Sequence, residues 1–291
     1  MSSLLFVAAL VGVLHVHHAP SHDSERPFSE VLRAAQQAEL DFLVLTEHAD
    51  AAGPLPAHER AGLYPRPDGG TLRVMVGAEF DSEDGHLLGY GIERAVPAIG
   101  RRGRDVIADI HAQGGFAVVP HPFAYGGWGD WDAPFDGLEV HNNAADFRRR
   151  LGIRLPFDLV WIAVDRESFA RSVLARPDRE LAAWDGLRKR GRNVVAFSGA
   201  DAHQNVSLLG WQLDPYLQMF QLVQTVCPDG PLTEAYLWNA LRSGACWIYY
   251  RVLEERADEA RAVELPSGRT ELQLDDGERV LEIRTPPASP R

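Results

Sequence analysis

Apolar residues along this chain gather in short unbroken runs, and polar residues able to bind a metal recur where those runs end. The first run, Leu4 to Leu14, ends in His15-Val16-His17, with His18, His22 and Asp23 close behind. Such a run fits a buried strand, in which residues two apart point the same way, so His15 and His17 share a face. The form repeats: Asp41 to Thr46 ends in Glu47-His48, and Leu72 to Val76 is followed by Glu79 and then His86. Phe116 to Val119 ends in Pro120-His121-Pro122, and Gly137 to Val140 ends in His141-Asn142-Asn143. Asn193 to Phe197 leads into Ser198-Gly199-Ala200-Asp201-Ala202-His203.

Between these runs the spacing changes to a helical one. Phe28 to Leu40 is a predicted helix with Ser29 as its cap, and Arg104 to Gln113 is another, stopped by Gly114-Gly115. Ala144 to Arg190 is read as mostly helical with interruptions near Pro156 and Pro177, and Thr233 to Ser243 as a helix before a strand, Cys246 to Arg251. The Pro- and Gly-rich stretch Gly53 to Gly70 and the Gly/Trp-rich stretch Ala124 to Pro134 are predicted loops. Strands alternating with helices imply parallel βα units, and in a barrel of such units the strand ends gather on one face. The expected organisation is an α/β body over residues 1–255 and a small β-rich extension over 256–291, whose Pro-rich end is frayed.

Composition narrows the partners. A formal charge of −12 argues against a nucleic-acid coat or an anionic membrane surface as the main partner. Stable nucleic-acid binding is not expected, whereas a phosphorylated small molecule remains open, since metal ions reverse the local field. Cys227 and Cys246 are too few for a disulfide framework and lack a C-x-x-C spacing, which points to a reducing compartment. Leu4 to Leu14 has the length of a signal-peptide core, but no Lys or Arg precedes it and it is shorter than the ~20 residues of a membrane helix. It is read as a strand, and a cytoplasmic location is expected.

Seven motifs in order, LHVHHAPSHDS, LDFLVLTEHAD, VGAEF, GHLLGY, VVPHPF, GLEVHNN and FSGADAH, span roughly residues 10 to 250. Together they resemble the PHP (polymerase and histidinol phosphatase) superfamily of metal-dependent hydrolases. The resemblance implies a distorted (β/α)7 barrel holding two or three divalent ions (zinc, manganese or iron), and phosphoester hydrolysis as the commonest chemistry. Carried over position by position, it implies metal ligation by His15, His17, Asp23, His48, Glu79, His86, His121, Asp201 and His203, with His22 competing with Asp23 in the first loop. Glu79 would bridge two metals, and Glu79, Asp201 and His203 would carry the catalytic roles. Three positions depart from the pattern: Val13 and Glu47 each stand where Asp is usual, and His18 replaces a small hydroxyl residue. None removes a ligand.

Other residues carry plainer readings. His58 and His111 are expected in solvent, and His141 could reach the pocket mouth. Arg101-Arg102-Gly103-Arg104 reads as a solvated helix start and Arg148-Arg149-Arg150 as a surface face, rather than as anion sites. Trp128 and Trp131 fit an aromatic substrate wall or plain packing, and Tyr249 and Tyr250 fit core and edge positions. The leading functional expectation is a metal-dependent phosphoesterase in which a metal-bridging hydroxide attacks phosphorus. The alternatives are a carbamate, carboxylic ester or amide hydrolase with the same centre, and a metal-stabilised binding module without turnover.

Overall fold

The computed structural model describes residues 9–49, 51–149, 165, 174, 176–208, 210–274 and 279–286. In the first half its strands are β1 (Ala9–Val16), β2 (Phe42–Leu45), β3 (Gly53–Pro54), β4 (Gly62–Pro65), β5 (Thr71–Val76), β6 (Ala78–Ser82), β7 (Gly85–Tyr90), β8 (Arg94–Ala95) and β9 (Phe116–Val119). The second half adds β10 (Gly137–Asn142), β11 (Val195–Gly199), β12 (Ser207–Leu208), β13 (Trp211–Gln212), β14 (Gln224–Pro228), β15 (Trp247–Tyr249), β16 (Arg261–Glu264), β17 (Thr270–Gln273) and β18 (Val280–Arg284).

The fold is a mixed α/β arrangement built on two main sheets. One has nine strands in the order β16-β17-β18-β15-β14-β1-β2-β5-β4, the other five in the order β11-β10-β9-β7-β6. The histidine-tipped strands pair in parallel as predicted, β1 with β2 and β2 with β5, and β9 with β10 and β10 with β11. Antiparallel pairs interrupt them, β1 with β14, β6 with β7 and β7 with β9. Among the described residues the strands therefore do not form the single closed sheet expected from a barrel.

The two sheets nevertheless meet along both flanks. On one side the Ala200 amide donates to the Leu14 carbonyl (2.9 Å) and the His17 amide to the Ala202 carbonyl (3.0 Å). On the other, the Gly77 amide donates to the Leu45 carbonyl (2.8 Å) and the Glu79 amide to the Glu47 carbonyl (3.1 Å). These contacts fall where the strands run out, so they draw the ends of β1, β2, β6 and β11 together. Apolar packing holds the arrangement: Val13, Leu43, Leu45, Val74, Leu87, Val119, Leu138 and Ala196 belong to one buried cluster. Fully burying one such aliphatic side chain stabilises by roughly 1.5–3 kcal/mol.

Several local expectations change. The first helix, Phe28–Gln37, has Pro27 at its N-cap and no side-chain cap, so Ser29 lies inside the helix rather than capping it. Thr233 caps Glu234–Ser243 by accepting a hydrogen bond from the Tyr236 amide. The predicted Gly53 to Gly70 loop contains β3 and β4, because β4 pairs antiparallel with β5 and extends the sheet edge. Residues 143–149 and Asp178–Lys189 are helical, Pro177 stands directly before the second of these, and Pro156 lies outside the described residues, as do Leu4 and the last residues of the Pro-rich end.

Cys227 and Cys246 are joined as a disulfide, contrary to the reduced pair expected. The reason is register: β14 pairs antiparallel with β15 so that Val226 faces Trp247, which brings the two cysteines opposite each other. In the C-terminal part, β18 pairs with β15 and continues the large sheet. Arg269, buried beneath them, reaches Asp185 (2.8 Å) and Glu271 (2.8 Å), and Arg176 also reaches Glu271 (3.0 Å), tying the strands to Asp178–Lys189.

Candidate metal centre

The strand ends project imidazoles and carboxylates into one buried space. Glu79, on β6 and 1% exposed, sits at its middle. Its Oε2 lies 3.0 Å from His15 Nε2, 3.1 Å from His17 Nε2 and 3.5 Å from His48 Nε2. Its Oε1 lies 2.7 Å from His86 Nδ1 and 3.3 Å from His121 Nε2. A carboxylate has two oxygens and about four lone-pair directions, so one side chain can serve both halves of such a cluster.

Asp201 and His203 approach from the loop after β11. Asp201 Oδ1 lies 3.5 Å from His15 Nε2 and 3.5 Å from His203 Nδ1. Asp23 closes the far side, 2.7 Å from His203 Nε2 and 3.5 Å from His48 Nε2. His17 stacks on His203 with ring centroids 4.3 Å apart. All nine residues implied as ligands thus fall into four overlapping groups whose ligand atoms could hold a metal ion: His17, Asp23, His48 and His203; His15, His17 and Glu79; His15, His121 and Asp201; Glu79, His86 and His121. His22 stands apart as an exposed ring beside His48 (4.4 Å), while the Asp23 carboxylate is the group that points inward.

The local backbone is bent to aim these side chains. His15 (φ 62°), His121 (φ 28°) and Asp201 (φ 50°) all sit in the left-handed region that L-residues disfavour. Two glycines make room. Gly85 (φ 116°) forms the turn before His86, and Gly199 lies so close to Glu139 that any Cβ would collide with its carboxylate.

A second layer of residues holds the first. Glu139, buried on β10, accepts from His15 Nδ1 (2.8 Å), from the His121 amide (3.0 Å) and from Asn142 Nδ2 (2.9 Å). Ser21 Oγ lies 3.1 Å from His17 Nδ1 and accepts from the His48 amide (3.2 Å). Asp81 flanks His48 Nδ1 (3.4 Å) and His86 Nε2 (3.3 Å). Glu47 accepts from the His18 amide (3.1 and 3.0 Å) and pairs with His18 Nδ1, which makes the unusual Glu and His a matched buried pair. Sequence reasoning did not single out Glu139, Asp81 or Ser21. For Glu139 a signal existed, a carboxylate within an apolar strand, since a buried charge needs partners.

Electrostatics follow from this crowding. Burial alone would depress His15, but Glu139, Glu79 and Asp201 raise it well above an ordinary imidazole. His48, despite burial, is raised to about 10 by Asp23 and Asp81, and His203 is raised by Asp23. His17 moves the other way, lowered by burial and by the neighbouring His203. Glu79, Asp201 and Asp23 stay ionised although burial opposes it, held low chiefly by His15 for the first two and by His203 for Asp23.

The donor set fits divalent cations. His17 Nε2, His48 Nδ1, His203 Nε2 and Asp23 Oδ1 are buried atoms without a hydrogen-bond partner. Their close neighbours are charged groups: His203 Nε2 lies 2.7 Å from Asp23 Oδ2, His17 Nε2 3.1 Å from Glu79 Oε2 and His48 Nδ1 3.4 Å from Asp81 Oδ1. Buried polar atoms are rarely left so, and imidazole nitrogens and carboxylate oxygens grouped within 4.8 Å of one another are the donors a borderline cation takes.

The remaining candidates lie elsewhere. His58 is exposed, but His111 is part-buried against Asp136 (2.7 Å) rather than free in solvent. His141 is buried and reaches Asn143 (2.8 Å), with Tyr250 beside it. Arg101, Arg102 and Arg104 are neutralised by Asp109, Asp84 and Asp130. Trp128 is buried against Phe135 and Trp131 stacks on Phe123, which is packing. Tyr250 is in the core and Tyr249 packs against it.

No protein-family model matches the chain. An uncharacterized protein of Methanocaldococcus jannaschii is 25% identical over 124 residues, 41% of this chain and 68% of that protein. Among solved structures, a two-domain protein containing a predicted PHP-like metal-dependent phosphoesterase from Bacteroides vulgatus is similar at TM-score 0.49 and 14% identity, covering 95% of this chain and 85% of that one. The lesion-specific endonuclease PfuEndoQ from Pyrococcus furiosus is similar at TM-score 0.48 and 12% identity, over 87% of this chain and 61% of that one. PsfC from Pseudomonas syringae is similar at TM-score 0.47 and 17% identity, over 78% of this chain and 85% of that one. Among the described residues, no helix is long and apolar enough to cross a membrane.

Proposed function

We propose that this chain is a PHP-type metal-dependent hydrolase, and that its reaction is the hydrolysis of a phosphoester. The observation that carries the reading is Glu79, one buried carboxylate whose two oxygens face five imidazoles. An arrangement in which one oxygen serves His15, His17 and His48 and the other serves His86 and His121 suits a bridging ligand between two ions. The hydrogen bonds linking the two sheets at Leu14 and Ala200, and at Leu45 and Gly77, support a distorted barrel of PHP type as the frame.

In this reading His15, His17, Asp23, His48, Glu79, His86, His121, Asp201 and His203 hold two or three divalent ions of zinc, manganese or iron. Such ions, when bound, supply Lewis acidity and lower the pKa of water. The protein's own residues do the rest. Glu79 and Asp201 keep negative charge fixed at the middle of the site. Asp201, buried and 3.5 Å from His203 Nδ1, is placed to accept a proton from an attacking water. His203, beside Asp23, stands where the charge developing on a leaving oxygen would be neutralised. Glu139 and Ser21 fix the orientation of His15 and His17, and hence which nitrogen carries a proton.

Carbamate or carboxylic ester hydrolysis by the same centre is the competing reading. Burial of Trp128 in packing removes one aromatic wall that would have favoured it. The deciding experiment is metal analysis of the purified protein joined to a panel of phosphomonoesters, phosphodiesters, nucleotides, aryl carbamates and carboxylic esters. The expected result is at least two ions per chain and turnover of a phosphoester inhibited by inorganic phosphate or vanadate. One ion or fewer after reconstitution, or turnover confined to carbonyl substrates, would overturn it.

A further inference from the structure

The helical stretch 143–149 places Arg148 at the rim of the metal centre, where it lines one cavity with Asp201, His203 and Asn205. Its surroundings differ from those of the other arginines noted in the sequence. Arg101, Arg102 and Arg104 each meet an aspartate, and Arg149 meets Asp146 at 3.1 Å. Among the described residues Arg148 instead meets an aromatic ring: its guanidinium carbon lies 5.2 Å from the centroid of Tyr125.

Tyr125 itself belongs to the rim. Its ring stands edge-on to His121 at 4.8 Å and parallel to His86 at 6.4 Å, yet it is 43% exposed. The loop that presents it is bent through three successive positive φ angles, Tyr125 (50°), Gly126 (93°) and Gly127 (75°). A tyrosine held outward above two candidate ligands, with a guanidinium resting on it, forms a lip over the centre. Cation–π contact steadies the guanidinium while leaving its N–H groups available, which an ion pair with a carboxylate would not do.

We infer that Arg148, steadied by the ring of Tyr125, is the group that binds the non-bridging oxygens of a terminal phosphate, and that the preferred substrate is a phosphomonoester. The inference rests on the phosphoesterase reading above. A terminal phosphate carries up to two negative charges and three oxygens free of a second ester link, so an added planar cation with a forked donor set favours it. A diester carries one charge and offers two such oxygens, and gains less from the same cation. Asp214 lines the same cavity, but its carboxylate accepts from the Asn205 and Val206 amides; in a chain of net charge −12, a cation beside Asp201 and His203 that is ion-paired to no carboxylate among the described residues is the natural anchor for an anionic substrate.

The test uses the full metal-loaded chain, with inorganic phosphate as the binding probe in calorimetry and one phosphomonoester and one phosphodiester as substrates. Arg148→Ala should weaken phosphate binding at least about tenfold and raise KM for the monoester similarly, with a smaller change for the diester and no change in metal content. Arg148→Lys should recover part of the loss, since charge returns without the fork. Tyr125→Phe should behave as wild type because the ring remains, and Tyr125→Ala should follow Arg148→Ala in direction. Arg149→Ala, the neighbouring control, should leave phosphate affinity unchanged. Phosphate affinity within twofold of wild type in Arg148→Ala, or equal loss for both ester classes, would overturn the inference while leaving the phosphoesterase reading intact. If wild type hydrolyses only carbonyl esters yet binds phosphate through Arg148, the anion site stands, and the reading of the reaction and the substrate preference fall.

Discussion

Replacing Glu139 with glutamine removes one charge and almost no volume, and should cripple metal binding without touching a ligand. The ionised carboxylate can only accept, so the proton of the 2.8 Å contact belongs to His15 Nδ1, and the Nε2 lone pair faces the centre once its own proton is displaced. The other oxygen accepts from the His121 amide and Asn142 Nδ2, both fixed donors. Glutamine has one oxygen for these two sites. If its oxygen stays with His121 and Asn142, its NH2 faces His15 and forces the opposite tautomer, with Nε2 protonated and unable to ligate. If the amide flips, two donors confront each other at His121. Loss of such an outer partner generally costs about 10–100-fold in metal affinity, which converts to about 1.4–2.7 kcal/mol. Competition against a chromogenic chelator would measure the affinity, and nitrogen NMR of His15 would report the tautomer. A folded Glu139→Gln protein with wild-type metal affinity and an unchanged His15 tautomer would refute the reasoning.

Two further outcomes are expected. Glu79→Gln should lower metal content and reduce kcat at least about a hundredfold, since a neutral amide bridges two cations poorly, whereas His58→Ala at an exposed position should change neither; equal small effects in both would remove Glu79 from the centre. Metal uptake should release protons, and apparent affinity should rise with pH, because metal-free His48 is raised to about 10 by Asp23 and Asp81 and His15 is raised well above an ordinary imidazole by Glu139 and Glu79, so these two rings must lose a proton to ligate, and the upward shifts of His86 and His203 act in the same direction. Calorimetry in buffers of differing ionisation enthalpy measures the release, and a heat independent of buffer would contradict it.

The strand ends are legible in the sequence because burial and ligation leave opposite marks on one short stretch. A parallel strand covered on both faces is nearly all apolar, so the polar residues gathered at its end stand out. His17, His48 and His121 show themselves in this way. Residues that act from within a strand do not. Glu139 is flanked by Leu138 and Val140, and its role depends on β10 lying beside β11 and on Gly199 yielding the space, neither of which a linear text contains. Asp81 escapes for a related reason, since it reaches His48 and His86 only once β6 and β7 have paired as a hairpin. The disulfide is hidden for the same cause: Cys227 and Cys246 are opposite only in the observed register of β14 and β15. Parallel βα order implies strand direction correctly for β1, β2 and β5, but says nothing of the antiparallel pairings of β6, β7 and β14 within the two sheets.

The left-handed backbone at His15, His121 and Asp201 bears on how this protein would respond to engineering for heat resistance. Each such position costs on the order of 1–3 kcal/mol that the surrounding packing has to offset. A selection for higher melting temperature alone would therefore find easy gains at these three sites, by glycine or by any residue that lets the loop relax. Those gains would come from discarding the imidazoles and the carboxylate that the bends exist to aim. Thermal robustness and function are in conflict at these residues, and a library meant to preserve activity should hold all three constant and look for stability in the distant sheet edges.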